Sequence, residues 1–202
     1  MDTLGEYEQA HIVACGLNAL IERAINKLQA FAAFRDAYPQ RANLSDNDDW
    51  YALAHSALLE NLLMDVASMI DRAKYRNDSN CNFKELKYVL TNLSIETHRY
   101  QGVICEIDHF LQTYADVVPE ILRNKVLAHK DLEELFCWKD YKIDMVKITR
   151  FLIEGHNIVD DVLELAVGAR PKLPDLDSIK ERYERSLQVP LIVSNKLGEN
   201  DG

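Results

Sequence analysis

The sequence contains few of the residues that make tight turns. Only 7 glycines and 5 prolines occur among its 202 residues. A β-sandwich or barrel needs many such turns, so this composition argues against both classes of fold. There is also no internal repeat, and no strand pattern of usable length. Helices are therefore expected to carry most of the structure.

Cysteine pairs and long apolar runs are also missing. The four cysteines are widely spaced and none forms a C-x-x-C pair, so a zinc site made from cysteine alone is not expected. Reduced thiols in a cytoplasmic protein are the prediction. No run approaches the roughly 20 apolar residues of a membrane span. The first residues lack the basic start and apolar stretch of a signal peptide, which predicts a soluble protein with no membrane partner.

The charge balance argues against one class of nucleic-acid-binding protein. A net charge of -10 argues against a general nucleic-acid coat protein, which needs a basic surface. The segment from Ile121 to Arg150 differs, because it holds seven lysines and arginines against five acidic residues. This local excess suits one bound RNA strand better than a duplex. No glycine-rich phosphate loop and no G-x-S-x-G motif occurs anywhere in the chain.

Apolar residues recur at spacings of three and four through most of the chain, which is the period of an amphipathic helix. Caps are predicted at Ser45, with Asp48 three residues later, and at Asn82, with Glu85 three residues later. Pro119 suits the first turn of another helix. The long helices are predicted over about Glu6–Tyr38, from the Ser45 cap through Ile70, over about Ile95–Ala115 and over about Ile143–Ala169.

This pattern predicts an all-α fold, a bundle of four main helices with short accessory helices. One domain is predicted over residues 1–173. Residues 174–202 are predicted to hold a polar helix at about 177–187, followed by a disordered tail.

The segment from Arg123 to Asp131 carries the residues best suited to chemistry. Arg123 supplies a permanent cation that can bind a phosphate through two N–H groups, and Asn124 adds a neutral donor. His129 titrates near neutral pH and can move a proton. Together these groups could run transesterification of RNA without a metal, with the arginine stabilising the charge on the phosphorane.

Helical geometry limits how these residues can meet. Six residues along a regular helix turn about 600°, which leaves Arg123 and His129 pointing about 120° apart. The helix must bend or end near Ala128, or a second copy of the chain must complete the site. A homodimer is therefore part of the prediction.

Arg123-Asn124, four further residues and His129 resemble the signature of the HEPN superfamily of small α-helical bundles. Asp71-Arg72, Phe83–Leu86 and Ala128–Asp131 look most like its abortive-infection, phage-defence branch. The resemblance implies a metal-independent endoribonuclease without a cofactor, in which Arg123, Asn124 and His129 of two chains share one cleft. Its implied partners are single-stranded RNA and, in a toxin–antitoxin setting, a neutralising protein. Substrate contacts are predicted for three neighbouring residues, Lys125, Lys130 and Asp131.

Two other functions stay open at this point. Some HEPN members have lost catalysis, so the chain could be a helical bundle that only binds a nucleotide or a partner protein. A metal-dependent nucleotide hydrolase would instead use acidic pairs such as Glu133–Glu134, although charged helix faces explain such pairs better.

Histidine spacing suggests metal ligands at two other places, but weakly. Glu106 and His109 have the Glu-x-x-His spacing of di-iron bundles, but this spacing alone does not supply the full ligand set of such a site, and no metal site is predicted there. His156 and Asp160 are expected to form a solvated helix pair. The remaining histidines, His11, His55 and His98, are expected to stand alone at the surface or at the edge of the core.

Overall fold

The structure is a computed structural model that describes residues 3–37, 49–70, 81–93, 97–119 and 143–167. Every regular element in those ranges is a helix, and the predicted all-α fold is confirmed. The helices are α1 (Thr3–Ala37), α2 (Asp49–Ile70), α3 (Phe83–Thr91), α4 (Thr97–Thr113) and α5 (Met145–Val167). The cap predicted at Ser45 and the helix predicted at 177–187 lie outside the described residues.

The helix boundaries follow local signals. Asn82 caps α3 as predicted: its side-chain oxygen accepts a hydrogen bond from the Glu85 backbone N–H at 2.8 Å. This contact satisfies one of the first N–H groups of the helix, which have no partner within the helix itself. The long helices α4 and α5 begin and end within two residues of the predicted limits.

The described residues fall into two compact units. Those of the first unit lie within Met1–Arg23 and Leu63–Lys172, and those of the second lie within Ala24–Leu62. The single domain predicted over residues 1–173 stays a prediction.

An aromatic cluster forms the centre of the first unit. It joins Phe83 of α3, Phe110 of α4 and Phe151 of α5, with Tyr114 just beyond the end of α4. The ring centroids of Phe83 and Phe110 are 4.6 Å apart, and those of Phe110 and Phe151 are 4.9 Å apart. All four side chains are buried. Burying one such ring stabilises the fold by about 1.5–3 kcal/mol, so the cluster is a main source of cohesion between these helices.

The order of the contacts shows that α4 runs antiparallel to both of its neighbours. Phe83 of α3 contacts Phe110 of α4, and Lys87 of α3 contacts Asp108 of α4. Residue numbers therefore rise along α3 in the direction in which they fall along α4. The same order holds for α5. Lys147 pairs with Asp116, and Phe151, four residues later, contacts Phe110, which is earlier in the chain than Asp116.

Two contacts join the part of α1 up to Arg23 to the rest of the first unit. The Arg23 guanidinium donates to both carboxylate oxygens of Asp65 in α2, at 3.0 and 2.6 Å. The Asp65 side chain is buried, and a carboxylate removed from water needs such a paired donor. The second contact is between Gly16 of α1 and Cys81. The Cys81 side chain lies so close to the Gly16 backbone that a side chain at position 16 would overlap the Cys81 sulfur.

The second unit contains a smaller packing site. Phe34 of α1 is buried against Ala54 and Leu58 of α2. One turn earlier, the ring of Phe31 lies 4.6 Å from the imidazole of His55, so that histidine is in contact and does not stand alone as expected. Burial, aided by the charge of Arg35, lowers the pKa of His55, which favours its neutral form in this contact.

The same substitution at two helical glycines should have opposite effects on stability. At Gly102 an added Cβ would meet nothing within 4 Å, so Gly102→Ala is expected to stabilise the protein by about 0.5–1 kcal/mol through helix propensity. At Gly155 it would lie 2.9 Å from Phe83 Cζ and 3.2 Å from Phe110 Cζ, inside the aromatic cluster. Overpacking costs about 1–3 kcal/mol, so Gly155→Ala should be destabilising overall. Urea unfolding followed by circular dichroism measures both, and equal shifts of the same sign would contradict this packing.

Candidate functional site

The residues predicted to carry the chemistry lie outside the described residues. They all fall between residues 120 and 142, and their arrangement stays a prediction. They are Arg123, Asn124, Lys125, His129, Lys130 and Asp131. The structure does describe the chain immediately before and immediately after this segment.

The chain that enters the segment is anchored in the first unit. After α4, Val117 and Val118 are both buried, and the Val117 backbone N–H donates to the Tyr114 carbonyl at 3.1 Å. These apolar side chains fix the position of the backbone next to Pro119. On the other side, Asp144 caps α5 by accepting from the Lys147 backbone N–H at 3.0 Å. Both flanks of the candidate site are therefore held by hydrogen bonds or burial.

An ion pair joins the two flanks. The Lys147 ammonium donates to the Asp116 carboxylate at 2.5 Å. The hydrogen bond from Lys147 lowers the pKa of Asp116, so this carboxylate keeps its negative charge at neutral pH. An exposed pair of this kind contributes at most about 1 kcal/mol to stability. Its importance here is positional, because it links Asp116, which precedes residues 120–142, to Lys147, which follows them.

Tyr114 is a buried ionisable group next to the first of these flanks. Burial and a hydrogen bond to Glu154 raise its pKa to about 12. The phenol therefore stays protonated at neutral pH and donates to the Glu154 carboxylate. It serves as a fixed structural contact between the end of α4 and α5, and does not supply a base to the neighbouring segment.

The expectation for His156 was wrong. This side chain is only 1% exposed, and its Nδ1 lies 3.2 Å from Oδ2 of Asp160, so the pair is inside the protein and not solvated. The physical reason is the face on which it lies: Leu152 and Val159, four residues before and three after, are buried core residues of α5. Neither imidazole nitrogen has a hydrogen-bond partner of acceptable geometry in the described part of the chain.

No group of three or more histidine, cysteine, aspartate or glutamate side chains in the described ranges could hold a metal ion. Glu106 and His109, the Glu-x-x-His pair, are both exposed on α4. One contact was missed by sequence reasoning: His11 Nε2 lies 3.5 Å from Cys15 Sγ on α1. Their spacing of four residues in a helix was the signal that could have found it.

No protein-family model, curated protein or solved structure matches this chain. Within the described residues, no helix is long and apolar enough to cross a membrane.

Proposed function

We propose that this chain is a HEPN-type, metal-independent endoribonuclease that cleaves single-stranded RNA in the cytoplasm. Arg123, Asn124 and His129 are its reactive residues, and Lys125, Lys130 and Asp131 contact the substrate. It acts as a homodimer in phage defence or as the toxin of a toxin–antitoxin pair, with a neutralising protein as a further partner. The observation that carries the proposal is the arginine–asparagine–histidine pattern within a helical chain.

The proposed reaction is an attack of the RNA on itself. His129 of one copy accepts the proton of a 2′-hydroxyl, whose oxygen forms a new bond to phosphorus. The bond from phosphorus to the 5′-oxygen breaks, and the protonated His129 of the second copy donates a proton to that oxygen. Arg123 stabilises the extra negative charge on the phosphorane. The products are a 2′,3′-cyclic phosphate and a free 5′-hydroxyl.

Three features support the proposal. Every regular element in the described part of the chain is a helix, as the resemblance implies. The segment with the motif leaves and rejoins the antiparallel pair α4 and α5, whose adjoining residues are linked by Asp116 and Lys147. The stretch from Ile121 to Arg150 also carries more basic than acidic residues, in a chain whose net charge is -10. A local positive charge favours the approach of one RNA strand.

Purified protein should cleave single-stranded RNA in the presence of EDTA. It should leave intact both the corresponding DNA and an RNA with one 2′-deoxy sugar at the cleavage position, because each lacks the attacking hydroxyl. The cyclic phosphate end can be identified by mass spectrometry. Cleavage that requires added Mg²⁺ would instead indicate a metal-dependent hydrolase. RNA or nucleotide binding without cleavage would indicate the non-catalytic bundle.

A further inference from the structure

Two basic residues lie in the first two turns of α5, the helix that follows the candidate segment. Lys147 and Arg150 are three residues apart, which places them on the same side of the helix. They are the described members of the basic stretch that runs from Ile121 to Arg150. Their surroundings differ, so the two cations are accessible to a ligand to different extents.

Lys147 already has a partner, because its ammonium donates to the Asp116 carboxylate. Arg150 is exposed, and no carboxylate among the described residues lies within ion-pair distance of its guanidinium. Glu154, one turn after Arg150, accepts a hydrogen bond from the Tyr114 phenol instead. Arg150 therefore presents its N–H donors and its charge to solvent.

Arg150 lies beside the end of α4 from which the chain enters the candidate segment. The ring of Phe151, the next residue, has its centroid 5.5 Å from that of Tyr114. Burial and the hydrogen bond to Glu154 raise the pKa of Tyr114, and the positive charge of Arg150 opposes them, so this charge is close to the phenol. Tyr114 is followed by buried Val117 and Val118, which anchor the chain just before residue 120.

The charges along α5 change sign immediately after Arg150. Its basic residues are Lys147 and Arg150, and all of its acidic residues come later: Glu154, Asp160, Asp161 and Glu164. A polyanionic strand is repelled by that acidic part of the helix and attracted to the basic part. RNA bound at the candidate segment would therefore meet Arg150 and would not continue along α5.

We propose that Arg150 binds a backbone phosphate of the single-stranded RNA, next to the phosphate that is cleaved. This inference rests on the proposed function, which supplies the ligand. A guanidinium offers a phosphate two parallel N–H donors and keeps its charge at any physiological pH. Arg150 is thus a substrate-binding residue outside the Arg123 motif, and it takes no part in proton transfer.

The test measures the affinity of the full chain for a single-stranded oligonucleotide in which every 2′-hydroxyl is methylated, so that the strand stays intact. Fluorescence anisotropy is recorded over a range of salt concentrations. Arg150→Gln should weaken binding about tenfold at low salt. The slope of log affinity against log salt concentration should also become shallower by about 0.7, the contribution of one phosphate contact on a single strand.

Two variants show whether the effect comes from a contact at this position. Arg150→Lys keeps the charge but not the paired donors, so it should retain most of the salt slope and only part of the affinity. Arg99→Gln removes the same charge from an exposed position near the start of α4, about 22 Å along the helix from Tyr114. It should bind as the wild type does. Equal losses in Arg99→Gln and Arg150→Gln would overturn the proposal, because net charge alone would explain them.

Three further outcomes are decisive. Unchanged affinity and salt slope in Arg150→Gln would overturn the proposal. An equal loss of affinity for adenosine monophosphate would also overturn it, since the guanidinium would then belong to a site for one nucleotide. RNA cleavage is measured separately on an unmodified strand. Cleavage by the wild type with unchanged binding by Arg150→Gln would leave the proposed function standing without this contact, whereas the expected change of slope in a chain that cleaves nothing would support the contact and contradict the ribonuclease.

Discussion

Replacing His129 by alanine is expected to lower the rate of RNA cleavage by about 10²–10⁴-fold, the usual contribution of a general acid or base. The methyl group that remains can neither accept the 2′-hydroxyl proton nor return one to the leaving oxygen. RNA binding should change little, because Arg123 and the neighbouring lysines keep their charge. Initial rates on a fluorogenic single-stranded RNA in EDTA measure the first effect, and fluorescence anisotropy measures the second.

Two companion variants sharpen this experiment. His109→Ala removes an exposed imidazole from α4 and should cleave at the wild-type rate, which controls for contaminating ribonuclease in separate preparations. Arg123→Lys retains a positive charge but loses the planar pair of N–H donors, so its activity should lie between wild type and Arg123→Ala. If His129→Ala cleaves RNA as fast as the wild type, the catalytic interpretation is wrong.

If two chains share one catalytic cleft, mixing active with inactive chains should lower RNA cleavage. Suppose that increasing amounts of the inactive His129→Ala chain are added to a fixed amount of wild-type chain and the subunits exchange. Wild-type activity should then fall, because mixed pairs have only one of the two imidazoles needed to move protons in and out. Activity that stays constant would mean that each chain carries a complete site.

Sequence signals predicted the elements well where the signal is local. A cap such as Asn82 acts on N–H groups of its own first turn, so the neighbouring residues determine it and the pattern is readable. The same holds for the limits of α4 and α5, which depend on apolar period and flanking residues. These boundaries needed no knowledge of the rest of the fold.

Prediction failed where a distant part of the chain decides the environment. His156 and Asp160 have the spacing of a solvated pair. Leu152 and Val159 place His156 on the apolar face of α5, but the packing that buries this face involves parts of the protein that are distant in the sequence. The aromatic cluster is similar, because Phe83, Phe110 and Phe151 are buried residues of three separate helices. Only the antiparallel packing of α3, α4 and α5 brings their rings together.

The candidate site depends both on local sequence and on parts of the protein that are distant in the sequence. Residue types and spacing were enough to predict which groups could act on a phosphate, because that is a property of the side chains. Their convergence depends on a bend near Ala128 or on a second chain, which a helical period cannot specify. The structure adds the anchoring of the flanking residues, through buried Val117 and Val118 and the Asp116–Lys147 pair, to which no local pattern pointed.

Phe151→Ala is expected to be the most damaging single substitution in the described core, lowering the free energy of unfolding by about 3–5 kcal/mol. The ring is fully buried and contacts three others, those of Phe83, Phe110 and Tyr114, so its removal leaves a cavity whose walls belong to three elements. Helices α3, α4 and α5 cannot all close on that cavity at once. Urea unfolding at equilibrium, followed by circular dichroism, gives the change in free energy.

Ile153→Ala is the matched control, since Ile153 is a large apolar residue of the same helix but is 42% exposed. It should cost clearly less, because the removed atoms already contact water and leave no closed cavity. A similar loss for the two variants would mean that the aromatic cluster does not hold α5 on α4.

Phe151→Ala should also affect the candidate site. Lys147 lies one turn before Phe151 and pairs with Asp116, so a loosened α5 should weaken this link between the residues that flank 120–142 and lower RNA cleavage at temperatures where the protein is still folded.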